Sequence, residues 1–122
     1  MELDCHLSLD GEVVIAHDAD LERMCGEEFA GKMIKETNYA DLPSFKKEGI
    51  KMHLSAGDYI MKDSEDGKFS LLRDLFAADK DSSMLYSIDM KHASNEIMAK
   101  VNGLIKEYKM ENRCIWGSMF AD

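Results

Sequence analysis

The sequence predicts an α/β protein, a parallel sheet with helices packed on its outer side. Three observations predict it. Segments that alternate apolar and polar residues stand in turn with segments whose apolar residues recur at helical spacing, in the order strand, helix, strand, helix, strand. The first strand, "ELDCHLS", sets Glu2, Asp4, His6 and Ser8 on one face and Leu3, Cys5 and Leu7 on the other, because side chains in a strand alternate with period two. A later one, "MLYSIDMK", repeats that division, with Met84, Tyr86, Ile88 and Met90 opposite Leu85, Ser87, Asp89 and Lys91.

Taken in order, residues 2–8 and 12–17 read as two strands joined at "LDGE", where Asp10-Gly11 supplies the residues that tight hairpins favour. Over 21–68 the glycines 26, 31, 49, 57 and 67, the lone Pro43 and many charges break any sustained period, so loops with short helical pieces are expected. "SLLRDLFAA" predicts a short helix with Ser70 as N-cap and Leu71, Leu72, Leu75 and Phe76 on its buried side. The turn-like "DKDSS" leads into the second alternating strand. Ile97, Val101, Leu104, Ile105 and Tyr108 then mark a helix over 94–108, and "NRCIWGSMF" a further strand.

Composition narrows the function classes. The 122 residues suffice for one domain but fall short of the roughly 250 that a closed α/β barrel usually takes. A net charge of −9 argues against a nucleic-acid surface, which needs clustered Lys and Arg. Cys5, Cys25 and Cys114 form no C-x-x-C pair, so they read as reduced thiols of a cytosol-facing chain rather than a disulfide framework or zinc site. No apolar run of about 18 residues and no basic-then-apolar N-terminus is present, so these residues encode neither a membrane span nor a signal peptide. "KDSEDGKFSLLR" fails as an EF-hand loop: with Gly67 at the sixth position, Lys62 and Arg73 fall where acids belong. No glycine-rich phosphate loop and no nucleophile elbow occurs.

The ionisable strand faces hold the candidate chemistry. Glu2 and Asp4 lie about 7 Å apart along one side of a strand, and their carboxylates can converge on one hard cation. Mg2+ and Ca2+ take oxygen ligands. Asp89, from a neighbouring strand, would complete such a site. Taken alone, Glu-x-Asp is an ordinary pattern for a strand facing water.

The longer run removes that ambiguity. "ELDCHLSLDGEVVIAHDADLERMCG" holds Glu-x-Asp, an Asp-Gly turn, and a return strand ending in His17-Asp18 followed by Leu21 and Arg23. Further on stand "FSLLRDLF", "SIDMK" with its acidic residue two before a Lys, and "CIWGS". Together these resemble the glycerophosphodiester phosphodiesterase family, over most of the chain and least between Glu27 and Gly67. The spellings "ELDCH" and "IWG" are most similar to the animal branch that includes lysophospholipase D enzymes.

The resemblance implies a partial TIM-type (β/α) barrel: residues 1–122 as the N-terminal half of the domain without its first strand, with 21–68 as an irregular insert. It implies Glu2, Asp4 and Asp89 as ligands of one divalent cation, Mg2+ or Ca2+, His17 as one of two catalytic histidines, and Lys91 beside the metal and phosphate. His6 becomes a lumen residue supporting the ligands, and Asp18 and Arg23 hold the His-bearing turn in shape. His53 and His92 carry no spacing signal and read as surface residues. The family's His-Arg-Gly, source of the second catalytic histidine, does not occur in these residues; Asp89 stands where Glu is usual and Ser70 where Pro is common.

The implied activity is metal-dependent hydrolysis of glycerophosphodiesters or lysophospholipids in lipid metabolism, impaired here without His-Arg-Gly. The alternative is a non-catalytic remnant that keeps the cation site. The implied partner is a phospholipid-derived small molecule, not nucleic acid. The implied location is the cytoplasm or a cytosol-facing membrane, such as the ER membrane for the parent protein. The membrane anchor of the resembled branch is not encoded in these residues.

Overall fold

A computed structural model describes residues 2–45, 50–54, 57–61, 67–81, 83–90 and 94–117, with the backbone alone described over 50–54 and 57–61. Five strands form the main sheet. β1 (Glu2–Leu7) and β2 (Val13–Ile15) are antiparallel, with Cys5, His6 and Leu7 opposite Ile15, Val14 and Val13. The five residues between them fold into a turn closed by Ser8, whose Oγ donates to Asp10 Oδ1 at 2.5 Å and accepts from Glu12 N at 3.0 Å. Gly11 sits there at φ 87°, a left-handed conformation that favours glycine.

Helix α1 (Glu22–Cys25) follows, then three single 3-10 turns. β3 (Ile50–Leu54) and β4 (Gly57–Met61) pair with each other in a separate antiparallel ladder. The region read as loops with helical pieces therefore also holds a hairpin, the first departure from the sequence reading.

β5 (Ser70–Leu71) pairs with β2 and runs directly into α2 (Leu72–Ala78). The expected N-cap at Ser70 is corrected: Ser70 is a ladder residue opposite Ile15, Leu71 occupies the cap position, and no side chain caps the helix. The reason is packing, since Leu71 opposite Val14 must be extended to reach the apolar cluster that buries both.

β6 (Tyr86–Met90) leads to α3 (Asn95–Glu107) and β7 (Cys114–Gly117). Ser94 caps α3 as its sequence invites, its Oγ accepting from Ile97 N at 3.3 Å. Its far end is closed by Lys109 at φ 57°, with Lys109 N donating to Lys106 O and Met110 N to Ile105 O. Lys stands there where glycine is usual, so no local residue signal marks the helix end.

The strand order is β5-β2-β1-β6-β7, parallel from β1 through β7 and antiparallel on the β2 side. One sheet face buries Leu3, Cys5, Tyr86, Ile88 and Met90 against α2 and α3, as their alternation predicts. The other face is covered over β2 by a second cluster, in which Val14, Leu21, Cys25, Ile34, Phe69 and Leu71 are buried. No described helix is long and apolar enough to cross a membrane.

Candidate phosphodiester site

Strand pairing places the acidic residues. In the parallel ladder of β1 and β6, Glu2 stands opposite Ser87 and Asp4 directly opposite Asp89. Adjacent strands lie about 4.8 Å apart, so two carboxylates on one face of that rung are immediate neighbours. Both are half-buried, whereas Glu2, two residues back on the same face, is exposed. Asp4 Oδ1 and Asp89 Oδ1 are buried oxygens that accept no hydrogen bond among the described residues. Burial, with the negative charges of Asp4 and Asp89 adding to it, pushes the Cys5 thiol up to about 12, so Cys5 stays a neutral core residue.

The donor set suits a hard cation: carboxylate oxygens, two of them brought together by register, with a third on the same face. Among the described residues no three His, Cys, Asp or Glu side chains already converge on one point. The pair is therefore built into the ladder, with Glu2 exposed two residues back on the same face.

His17 lies at the end of the return strand, exposed, and is tied to β1 twice. Ala16 N donates to Asp4 O at 2.9 Å, and His6 Nε2 lies 3.2 Å from His17 O. His6 is buried, so the residue read as a supporting lumen histidine bonds to the backbone that carries His17. His17 Nδ1 lies 2.8 Å from Asp18 Oδ1, and Arg23 Nε donates to Asp18 Oδ2 at 2.7 Å. Burial raises the Asp18 carboxyl, but the bonds and charges of Arg23 and His17 outweigh it and hold the group below the usual carboxylate range. The structure thus brings His17, Asp18, Arg23 and His6 into one connected chain, next to the backbone of Asp4. Lys91 and His92 lie outside the described residues, as does the side chain of His53.

Two cavities flank this arrangement. One, of about 360 Å³, opens where β1 ends and α3 begins, with His6, Ser8, Lys35, Ser94 and Glu96 in its wall. Lys35 had no spacing signal. It arrives there because Leu9 N bonds to Thr37 O and Tyr39 N to Asp10 Oδ1, contacts across about thirty residues that no local pattern reveals. The other, of about 160 Å³, borders His17 itself.

Comparison with known proteins gives one consistent family. The model of the glycerophosphoryl diester phosphodiesterase family matches residues 1–119. The chain is 30% identical over 118 residues to lysophospholipase D GDPD1 of Mus musculus, covering 97% of this chain and 35% of that protein. It is 29% identical over 118 residues to lysophospholipase D GDPD3 of Homo sapiens, with the same coverage. The chain spans about a third of the length of these curated relatives. Among solved structures, a glycerophosphodiester phosphodiesterase from Agrobacterium tumefaciens aligns with a TM-score of 0.67 at 16% identity, over 98% of this chain and 45% of that one. One from Thermotoga maritima aligns with a TM-score of 0.61 at 27% identity, over 96% and 39%.

Proposed function

Because this chain belongs to the glycerophosphoryl diester phosphodiesterase family, we propose that it forms a sector of a (β/α) barrel phosphodiesterase, the N-terminal half without its first strand. The reaction is hydrolysis of glycerophosphodiesters or lysophospholipids in lipid metabolism, in the manner named for its lysophospholipase D relatives. The observation that carries this reading is the ladder rung pairing Asp4 with Asp89, one residue along from where β2 delivers His17.

Glu2, Asp4 and Asp89 would hold one divalent cation, Mg2+ or Ca2+. The chemistry such a cation supplies is Lewis-acid neutralisation of the phosphoryl oxygens. The remaining roles belong to the chain's own side chains. His17, with Nδ1 engaged by Asp18, presents Nε2 as the atom that takes a proton from the attacking group or gives one to the leaving alcohol. Arg23 fixes Asp18, and Asp18 fixes the imidazole plane. His6 holds the carbonyl of His17 from the buried side. Lys91, two residues past Asp89, supplies positive charge for the phosphate.

The alternative is a cation-binding remnant without turnover, since these residues contain no His-Arg-Gly. One experiment separates the two. Hydrolysis of a lysophospholipid by the natural protein carrying this sequence is measured by release of the head-group alcohol, with calorimetric titration of Mg2+ and Ca2+ alongside. Hydrolysis that falls by roughly 10²- to 10⁴-fold in His17→Ala, and is lost in Asp4→Ala without recovery in excess metal, is the expected result. Cation binding with no hydrolysis selects the remnant. Full activity in Asp4→Ala would sink the ligand assignment.

A further inference from the structure

The cavity beside His17 has an unusual division of character. It is lined by the apolar side chains of Ile15, Ala16, Met24, Phe45 and Phe69 together with His17, Asp18, Asp20 and Arg23. Phe45 and Phe69 meet edge to face, with ring centroids 4.6 Å apart, and Phe69 is buried. A cavity lined by apolar side chains, two of them a packed aromatic pair, and bordered by the candidate catalytic imidazole suits a ligand that is apolar along part of its length and charged at one end. Apolar pockets with a few placed polar groups are the usual form of small-molecule sites.

We propose that this cavity receives the start of the single aliphatic chain of a lysophospholipid, so that the chain selects such lipids over chain-free glycerophosphodiesters. The inference rests on the phosphodiesterase reading of His17. Size sets the length of chain that fits: at roughly the 30 Å³ that a water occupies in the liquid for each methylene, about 160 Å³ holds about five carbons. A chain in this slot sets the glycerol half of the substrate on the His17 side of the phosphorus. The head group then points away, toward solvent or the more polar cavity near Lys35.

The test is a series of single-chain alkyl phosphocholines of two to twelve carbons, titrated calorimetrically below their micelle concentrations into the natural protein carrying this sequence. Each buried methylene gains about 0.8 kcal/mol, which is close to a fourfold step in affinity by the tenfold-per-1.4 kcal/mol rule. Affinity is expected to climb by about that factor per carbon and level off near the fifth. Met24→Trp, which fills the slot, flattens the climb. Phe45→Ala, which enlarges it, moves the plateau to longer chains and serves as an independent variant. Affinity independent of chain length, or the same climb and plateau in both variants, overturns the proposal. Binding is read without turnover, so a protein that shows the climb but hydrolyses nothing supports the chain site while sinking the hydrolase reading.

Discussion

At the scale of single residues, the informative group is Asp18, because it couples a catalytic candidate to a structural one. Its carboxylate is one-quarter exposed and bonded to both His17 and Arg23. A pKa held below the unfolded value of about 3.9 means that Asp18 stabilises the fold while ionised. That contribution is fully present above the unfolded pKa and is lost as the pH falls through the lower folded pKa. Asp18→Asn is therefore expected to cost about 1 kcal/mol near neutrality, in the range of a partly exposed charge-assisted pair. The difference between the two proteins should shrink below about pH 4 and vanish in stronger acid. Urea titrations at pH 7, 5 and 3 check it, and a difference that stays constant across that range would show that Asp18 acts through shape rather than charge.

At the scale of elements, the clearest device lies at the start of β7, three strands across the sheet from β2 and His17. Arg113, just before β7, donates from Nε to Met84 O at 3.0 Å, from Nη1 to Asp79 O at 3.0 Å and from Nη2 to Asp79 Oδ2 at 3.1 Å. Tyr86 donates its hydroxyl to the same Asp79 carboxylate, and its ring lies under the guanidinium. Burial, then that bond, pushes the Tyr86 phenol up to about 12. One fork thus joins the end of α2, the approach to β6 and the start of β7. Arg113→Ala is expected to destabilise by about 2–3 kcal/mol, the worth of bonds to a charged donor. Arg113→Lys should recover less than half of it, since an ammonium cannot fork. Thermal unfolding of both variants measures this. No pattern in the sequence announces the clamp, because its partners are 34 residues apart. By contrast β1, β6 and α3 were legible to within a residue or two at most ends, since each carries a periodic buried face. β3 and β4 were missed although Ile50, Met52 and Leu54 do alternate, because five-residue strands flanked by glycines resemble loops. Of the motif residues Glu2, Asp4, His17 and Asp89, the ladder brings Asp4 and Asp89 onto one rung, as the alternation of β1 and β6 allows. That His6 reaches the His17 carbonyl, and that 19–45 buries the far face of β2, depended on contacts only the fold reveals.

At the scale of the whole molecule, the sheet has backbone edges that the described residues leave open. Among the described residues β5 pairs with β2 alone and β7 with β6 alone. β7 also carries apolar side chains in solvent, with Ile115 78% exposed and Trp116 39%. An exposed apolar strand edge is a template for pairing with another chain. A polypeptide of these 122 residues is expected to self-associate through β7, against the repulsion of its −9 charge. Two substitutions separate the edge from the charge. Ile115→Lys takes the net charge from −9 to −8 and Ile115→Glu from −9 to −10, by one unit each way. If the edge drives association, both weaken it, by roughly tenfold for about 1.4 kcal/mol of lost contact, because either charge resists burial between paired strands. If overall repulsion governs, the Lys variant associates more strongly and the Glu variant less. Sedimentation velocity over a concentration series reads the sign directly, and opposite shifts in the two variants would exclude β7 as the contact.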